Sequence, residues 1–166
     1  SRFSPTGRLI AYGGSGNDNI QVAGSIALPA WLYGDAGNDR LNAGNGGSLL
    51  IGGAGDDQLL GGGGRDVMVG GEGADQLIGN SDDDILIAST TSHDGNVLAF
   101  GHILNEWTRS TSIASRVSNL KTGGGLSAGF ALNTSTVFDD AAADVLTGGA
   151  GKDWFLFGTG DVLTDL

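Results

Sequence analysis

Aspartates at positions 18, 39, 57, 66, 75, 84, 144, 153 and 161 are each followed, two residues on, by a large apolar side chain, and most have a glycine two residues before. From Asp57 to Asp84 they stand nine residues apart. A carboxylate beside a glycine turn, whose main-chain carbonyls are free to point at an ion, is an oxygen-only donor set. Such a set suits a hard divalent cation such as calcium, which takes about six to eight oxygens. The chain has no cysteine, which excludes a disulfide framework and a thiolate metal site or nucleophile. A single Asp–Gly turn needs no metal, because Asx turns satisfy their own hydrogen bonds. A register of them differs, since stacked turns would hold uncompensated carboxylates close together.

The 19 acidic and 8 basic side chains leave a formal charge of -11, a self-repulsion that something cationic must offset. Phosphate recognition asks for a basic patch, so no nucleic acid is expected as partner. No apolar run approaches the ~20 residues of a membrane span, which predicts a soluble protein without membrane insertion. The opening SRFSPTGRLI has neither an initiator methionine nor the pattern of a secretory signal, and the chain reads as a piece of a longer one. A length of 166 residues at 39% hydrophobic content predicts one domain. With 32 glycines, 2 prolines and no collagen period, the glycine serves turns.

Laid out with a period of nine, the chain falls into one register. The blocks read GGSGNDNIQ from Gly13, GDAGNDRLN from Gly34, AGNGGSLLI from Ala43, GGAGDDQLL from Gly52, GGGGRDVMV from Gly61, GGEGADQLI from Gly70 and GNSDDDILI from Gly79. The intervening VAGSIALPAWLY fits as one block with a three-residue insertion in its turn and Leu32 at the apolar position. After a long interruption, DDAAADVLT from Asp139 and GGAGKDWFL from Gly148 restore the phase, and FGTGDVLTDL reads as a shortened block. The first six positions must reverse the chain through positive φ values that glycine adopts freely. The last three form a very short strand, in which alternation sends one apolar residue inward. Ile20, Leu41, Leu50, Leu59, Met68, Leu77, Leu86, Leu146 and Phe155 are the predicted interior stack.

The pattern G-G-x-G-x-D-x-U-x, with U large and apolar, resembles the hemolysin-type calcium-binding repeat. Over about residues 12–87 and 139–160 the chain is similar to the RTX family of secreted bacterial proteins. The resemblance implies an all-β solenoid, a calcium-bound parallel β-roll in which two blocks of about eighteen residues together make one coil. Its core is thin: each buried apolar side chain stabilises by about 1.5–3 kcal/mol, whereas ordering the backbone costs roughly 1–2 kcal/mol per residue. Calcium has to make up the difference.

In the family an ion sits between turns stacked two blocks apart and takes the aspartate of each. Carried onto this chain, Asp18, Asp39, Asp57 and Asp75 share one edge of turns. Ala30, Ser48, Asp66 and Asp84 share the other, whose first half lacks the carboxylate. The turn carbonyls of Gly13, Ser15, Gly34, Ala36, Gly52, Ala54, Gly61, Gly63, Gly70, Glu72, Gly148 and Ala150 complete the implied ligand set. Treating the interruption as one block with a giant turn insertion places Val137 at its apolar position and pairs Asp84 with Asp144, and Asp144 with Asp161. Ser135 then stands where Asp75 and Asp153 need a partner. Five intervals would hold two aspartates each, and five or more Ca2+ ions would bring about ten positive charges against the net -11. Asp35, Asp56, Asp82, Asp83 and Glu72 fall at variable turn positions and are expected to be solvated, while Asp139 and Asp140 replace the paired glycines of their block.

Three segments follow: a roll over 1–87 with a short lead at 1–11 that could cap it, an insertion over 88–138, and the resumed roll over 139–166. Within the insertion, Val97, Phe100, Leu104 and Trp107 predict a helix over about 94–108 with Asp94 as N-cap. Ile113, Val117 and Leu120 predict a second helix over about 111–121, ended by Gly123; residues 122–136 read as loop. The two form a helical hairpin covering part of the roll, with Phe100 and Trp107 in its core. Both histidines, His93 and His102, fall in the insertion. His102 and Glu106 are spaced i, i+4 as zinc ligands can be, but without a third ligand they are expected to be a helix-surface pair.

No G-x-S-x-G, no H-E-x-x-H and no serine, histidine and carboxylate set is evident, so the chain is not expected to be an enzyme. The expected function is that of an extracellular or cell-surface calcium-binding structural module within a larger protein. It would be disordered in calcium-poor cytosol, exported by a one-step bacterial secretion system as the resemblance implies, and folded by calcium outside. Two other classes stand beside it: the non-catalytic C-terminal module of a secreted hydrolase or toxin, and a self-associating fibre or matrix subunit that stacks end to end through unpaired strand edges.

Overall fold

The computed structural model describes residues 7–165. In chain order its strands begin with β1 (Leu9–Ser15), β2 (Asn19–Gln21), β3 (Ala30–Ala36), β4 (Arg40–Asn42), β5 (Leu49–Ala54) and β6 (Gln58–Gly62). Next come β7 (Val67–Glu72), β8 (Gln76–Ser81), β9 (Ile85–Ile87), the short β10 (Thr90–Thr91), helices α1 (Val97–Trp107) and α2 (Ile113–Thr122), and β11 (Val137–Phe138). The chain then continues through β12 (Val145–Ala150), β13 (Trp154–Leu156) and β14 (Val162–Asp165).

The turns reverse at the second and fourth positions of most blocks, as at Gly53 (φ 117°) and Gly55 (φ 123°). Where glycine is missing from the second position, Asp35 (φ 73°) and Asn80 (φ 76°) take its place, short polar residues that tolerate the left-handed region. Successive blocks therefore alternate between two six-stranded parallel sheets, one ordered β1-β3-β5-β7-β9-β13 and the other β2-β4-β6-β8-β12-β14. Leu32, Leu50, Met68 and Leu86 lie in register on the first sheet, and Leu41, Leu59, Leu77 and Leu146 on the second. These eight are fully or almost fully buried between the sheets, with Ile20 and Phe155 half-buried at the ends of the stack. The molecule is a parallel β-roll.

The insertion adds no strand to the roll. β8 pairs directly with β12, and β9 with β13, so the residues on either side of it are consecutive coils. Val137, expected in the interior stack, lies instead in β11, antiparallel to β10, and packs against an outer cluster. That short hairpin brings the two ends of the excursion together, which is why the phase is unbroken across it. Of the lead expected at 1–11, residues 1–6 lie outside the described ones, and Leu9 to Ala11 already belong to β1, paired with β3.

The helices cover the outward face of the first sheet. Trp31, Tyr33, Leu49, Ile51, Val67, Val69, Ile85 and Ile87 point away from the roll and pack with Phe100, Ile103, Leu104, Trp107, Leu120 and Leu132. The inward stripe of α1 begins at Ala99 and Phe100 and includes Ile103, whereas Val97 remains 45% exposed. Asn96, not Asp94, caps α1 by accepting from Ala99 N. Asp94 is engaged by the main-chain N–H and hydroxyl of Thr91 (2.8 and 2.5 Å). α2 starts on Ser112 and ends on Gly123 in the left-handed conformation.

Candidate metal centre

Each block aspartate after Asp18 uses one carboxylate oxygen to bind its coil to the one before. On the first edge Asp18 N donates to Asp39 Oδ1 (2.7 Å), Asp39 N to Asp57 (2.7 Å), Asp57 N to Asp75 (2.8 Å), Asp75 N to Asp144 (2.7 Å) and Asp144 N to Asp161 (3.1 Å). On the second edge Ala30 N donates to Ser48 Oγ (3.1 Å), Ser48 N to Asp66 (2.6 Å), Asp66 N to Asp84 (2.8 Å) and Asp84 N to Asp153 (2.8 Å). The register corrects two expected pairings. Asp84 meets Asp153, not Asp144, and Asp75 meets Asp144 rather than facing Ser135, because the insertion contributes no coil. Ser48 and Ala30 do stand where carboxylates are missing.

The second oxygen is left over. Oδ2 of Asp18, Asp39, Asp57, Asp66, Asp75, Asp84 and Asp144 is buried without a hydrogen-bond partner. Asp161 differs, its Oδ2 accepting from Gly158 N at 2.7 Å. Beside these orphan oxygens the first glycine of each block leaves a cradle. A Cβ built on Gly61 would lie 2.5 Å from Asp66 Oδ2 and 2.8 Å from Gly79 O. On Gly13 it would lie 2.8 Å from Asp18 Oδ2 and 2.7 Å from Gly34 O. Gly34, Gly52 and Gly79 likewise face the aspartate of their own block and the leading carbonyl of the next coil, that of Gly52, Gly70 or Gly148, each carbonyl at 2.5 Å. At Gly70 the facing carbonyl is that of Ala88. The carbonyls of Gly79 and Ala88 were not anticipated, although Gly79 opens its block as the other glycines do. The carbonyls of Ala36, Ala54 and Glu72 each accept one N–H, from Gly16, Gly37 and Gly55 (2.8 Å each), and so hold coils together.

These carboxylates lack protein counter-charge. Burial, reinforced by neighbouring aspartates and opposed by the ladder hydrogen bonds, pushes Asp57 and Asp144 up to about 6 and Asp75 and Asp84 up to about 8. Asp39 is raised and Asp66 raised strongly for the same leading reason. Oxygens that are desolvated, unpartnered and flanked by carbonyls fit a hard cation. Among the described residues no three acidic or histidine side chains converge. Beside the two stacked carboxylates, the leading main-chain carbonyls are available as further donors.

Of the variable-position acids, Asp35, Asp56, Asp82 and Glu72 are exposed as expected, and Asp83 departs from that expectation. Asp56 Oδ1 accepts from Ala74 N (3.0 Å), Asp82 Oδ2 from Gly64 N (3.2 Å) and Asp140 Oδ2 from Gly73 N (2.8 Å), forming a second ladder beside the first. Asp83 is ion-paired with Arg116 (2.5 Å); Asp35 and Glu72 are exposed. Burial would raise Asp83, but the hydrogen bonds from Arg116 and Lys152 N and the charges of Arg116 and Arg65 hold it below the usual range. Nor is Glu106 a surface partner of His102. It is fully buried, and its carboxylate accepts from Asn119 Nδ2 (2.8 Å) and Leu126 N (2.7 Å), while His102 Nδ1 lies 3.1 Å from Leu126 O.

Four copies of the family model for the RTX calcium-binding nonapeptide repeat match the chain, over residues 10–22, 33–68, 60–90 and 135–162. No curated protein and no solved structure gives a match.

Proposed function

Because the chain belongs to the RTX calcium-binding nonapeptide repeat family, we propose that it is an extracellular calcium-binding structural module, folded by ions held between stacked turns. The observation that carries this is the set of seven buried, unpartnered Oδ2 atoms, six of them, all but that of Asp144, against the leading glycine of their own block. Ions would lie between Asp18 and Asp39, Asp39 and Asp57, Asp57 and Asp75, and Asp75 and Asp144 on the first edge. On the second they would lie between Asp66 and Asp84, and between Asp84 and Asp153. The interval from Asp144 to Asp161 is the poorest, since Gly158 N already occupies the free oxygen of Asp161. Calcium supplies the positive charge that these carboxylates otherwise lack.

The chain's own residues set the register. The apolar stack and the Oδ1 ladder align the coils, and leading carbonyls complete each donor set. Affinity for the ion then becomes folding free energy. At extracellular calcium the roll is formed; in calcium-poor cytosol the acidic, glycine-rich chain loses that contribution. No helix among the described residues is long and apolar enough to cross a membrane. Circular dichroism of the purified chain, titrated with calcium and then with chelator, tests the reading. A cooperative, reversible gain of β signal is expected; full β signal under chelation at pH 8 would refute it.

A further inference from the structure

On the second edge, Arg65, Asp83 and Lys152 occupy the position just before Asp66, Asp84 and Asp153. Asp83 stands at their centre. Its Oδ1 accepts from Lys152 N at 3.0 Å, stitching the next coil. Its Oδ2 faces the guanidinium groups of Arg116 (2.5 Å) and Arg65 (3.6 Å). Its main-chain carbonyl accepts the indole N–H of Trp107 at 2.7 Å.

Trp107 and Arg116 come from the two helices of the insertion, where the guanidinium of Arg116 lies 4.5 Å over the Trp107 ring and donates to Trp107 O (2.9 Å). Arg65 reaches the same region by donating to Arg109 O at 2.7 Å. Arg116 is 1% exposed, and among the described residues its one ion pair is with Asp83. A buried guanidinium is tolerated only beside its counter-charge.

We propose that Asp83 is a positioning residue that couples occupancy of the calcium sites at Asp84 to docking of the helical insertion on the roll. The inference rests on the calcium reading above. Asp83 and Asp84 share one turn, so the conformation that lays Asp84 Oδ1 on Asp66 N and Asp84 N on Asp153 also aims Asp83 at Arg116. An ion that orders the turn presents the latch; a docked Arg116 holds the turn in its ion-binding shape. Such coupling is reciprocal. The first edge provides the contrast: Asn17, Asn38 and Asp56 at the same position bond to neighbouring coils. Undocking would uncover the apolar outer face that includes Trp31, Tyr33, Leu49 and Ile51.

Trp31 and Trp107 lie in the outer cluster and Trp154 packs against it, so tryptophan fluorescence reports docking while far-UV circular dichroism reports the roll. Calcium titrations of the full chain should give coincident midpoints for both signals. Asp83→Asn and Arg116→Met should each move the fluorescence midpoint to about tenfold higher calcium, within the range of coupled sites. The double variant should shift it no further than the larger single effect. Asp56→Asn, at the equivalent place on the first edge, should leave the two midpoints coincident.

Unchanged midpoints in Asp83→Asn, fully additive effects in the double variant, or an equal shift in Asp56→Asn would overturn the latch and leave the calcium reading standing. Should Arg116→Met not fold, Arg116→Lys takes its place in the cycle. A wild-type chain whose dichroism ignores calcium would bring down both.

Discussion

Gly52→Ala separates the metal cradle from every other reason for glycine in this roll. Gly52 opens its block outside the left-handed region, so alanine adds no backbone strain there. The new methyl would stand 2.5 Å from Gly70 O and closer still to Asp57 Oδ2, well inside ordinary van der Waals contact at 3.4–4 Å. Over-packing of this kind costs about 1–3 kcal/mol. The methyl also fills the space on which the two oxygens converge, removing one ion. At calcium a hundredfold above the site's Kd, that loss is worth about 2.7 kcal/mol. Together they amount to about 4–6 kcal/mol, a large part of the ~5–15 kcal/mol that stabilises a typical domain.

Gly24→Ala is the control, since no atom lies within 4 Å of its added carbon. There the change is expected to lie within about 1 kcal/mol, on the stabilising side. Denaturant unfolding at fixed excess calcium, with ion stoichiometry from calorimetry, reads both effects. Gly52→Ala should lose one ion and much of its midpoint, and Gly24→Ala neither. A Gly52→Ala chain with full stoichiometry and an unmoved midpoint would show that the cradle holds no ion.

Other consequences follow from the same geometry. Asp75 and Asp84 titrate near 8, and Asp57 and Asp144 near 6, in the metal-free fold, against 3.8 for an ordinary aspartate. A raised folded-state pKa in an acid means that the charged form destabilises: the penalty is full above pH 8, is relieved as pH falls through 8 and 6, and is gone below about 3.8. In chelator, β signal at pH 5 should therefore exceed that at pH 8, while calcium affinity falls over the same descent as protons compete; equal signal at both pH values refutes the assignment. Asp57 belongs to two first-edge pairs and Asp153 to one second-edge pair, so Asp57→Ala should raise the calcium midpoint of folding more than Asp153→Ala, and the reverse order would contradict the register. Deleting 88–138 joins two consecutive coils and should leave a chain that still responds to calcium but self-associates through the uncovered first sheet, as sedimentation would show; a monomer with unchanged solubility would refute that.

The roll was legible because its signal is periodic: one apolar residue per nine, one carboxylate two places before it, and glycine where the chain must turn. The insertion was not, because a period cannot say whether an interruption occupies a strand position. The antiparallel contact of Thr90 and Thr91 with Val137 and Phe138 decides that, and it shifts the pairings of Asp75 and Asp84 while leaving that of Asp144 with Asp161. One further signal went unread. Residues flanking the inward position are apolar on the first sheet (Trp31 and Tyr33, Leu49 and Ile51, Val67 and Val69) and mostly polar on the second (Asn19 and Gln21, Arg40 and Asn42). An eighteen-residue alternation of that kind announces a covered outer face. Asp83 and Asp84 mark the limit of such reading. They are identical in type and adjacent in sequence, yet Asp83 has Arg116 beside it and Asp84 lacks any such cation, which only tertiary packing determines.

On the proposed reading, the division of labour within the carboxylates would let calcium favour the fold without dictating its register. Oδ1 is spent on the N–H of the previous coil and Oδ2 is not, so neighbouring coils can align by hydrogen bonds and apolar stacking before any ion arrives. What that alignment creates is a column of unbalanced negative charge, which a bound cation would relieve. Loss of calcium is therefore not felt equally across the roll. From β3 to β9 the first sheet is buried on both faces, by the interior stack and by the helices, whereas the second has the interior stack alone. Core burial is thinnest where β2, β4, β6, β8, β12 and β14 lie, and hydrogen exchange in limiting calcium should open those strands before β5 and β7.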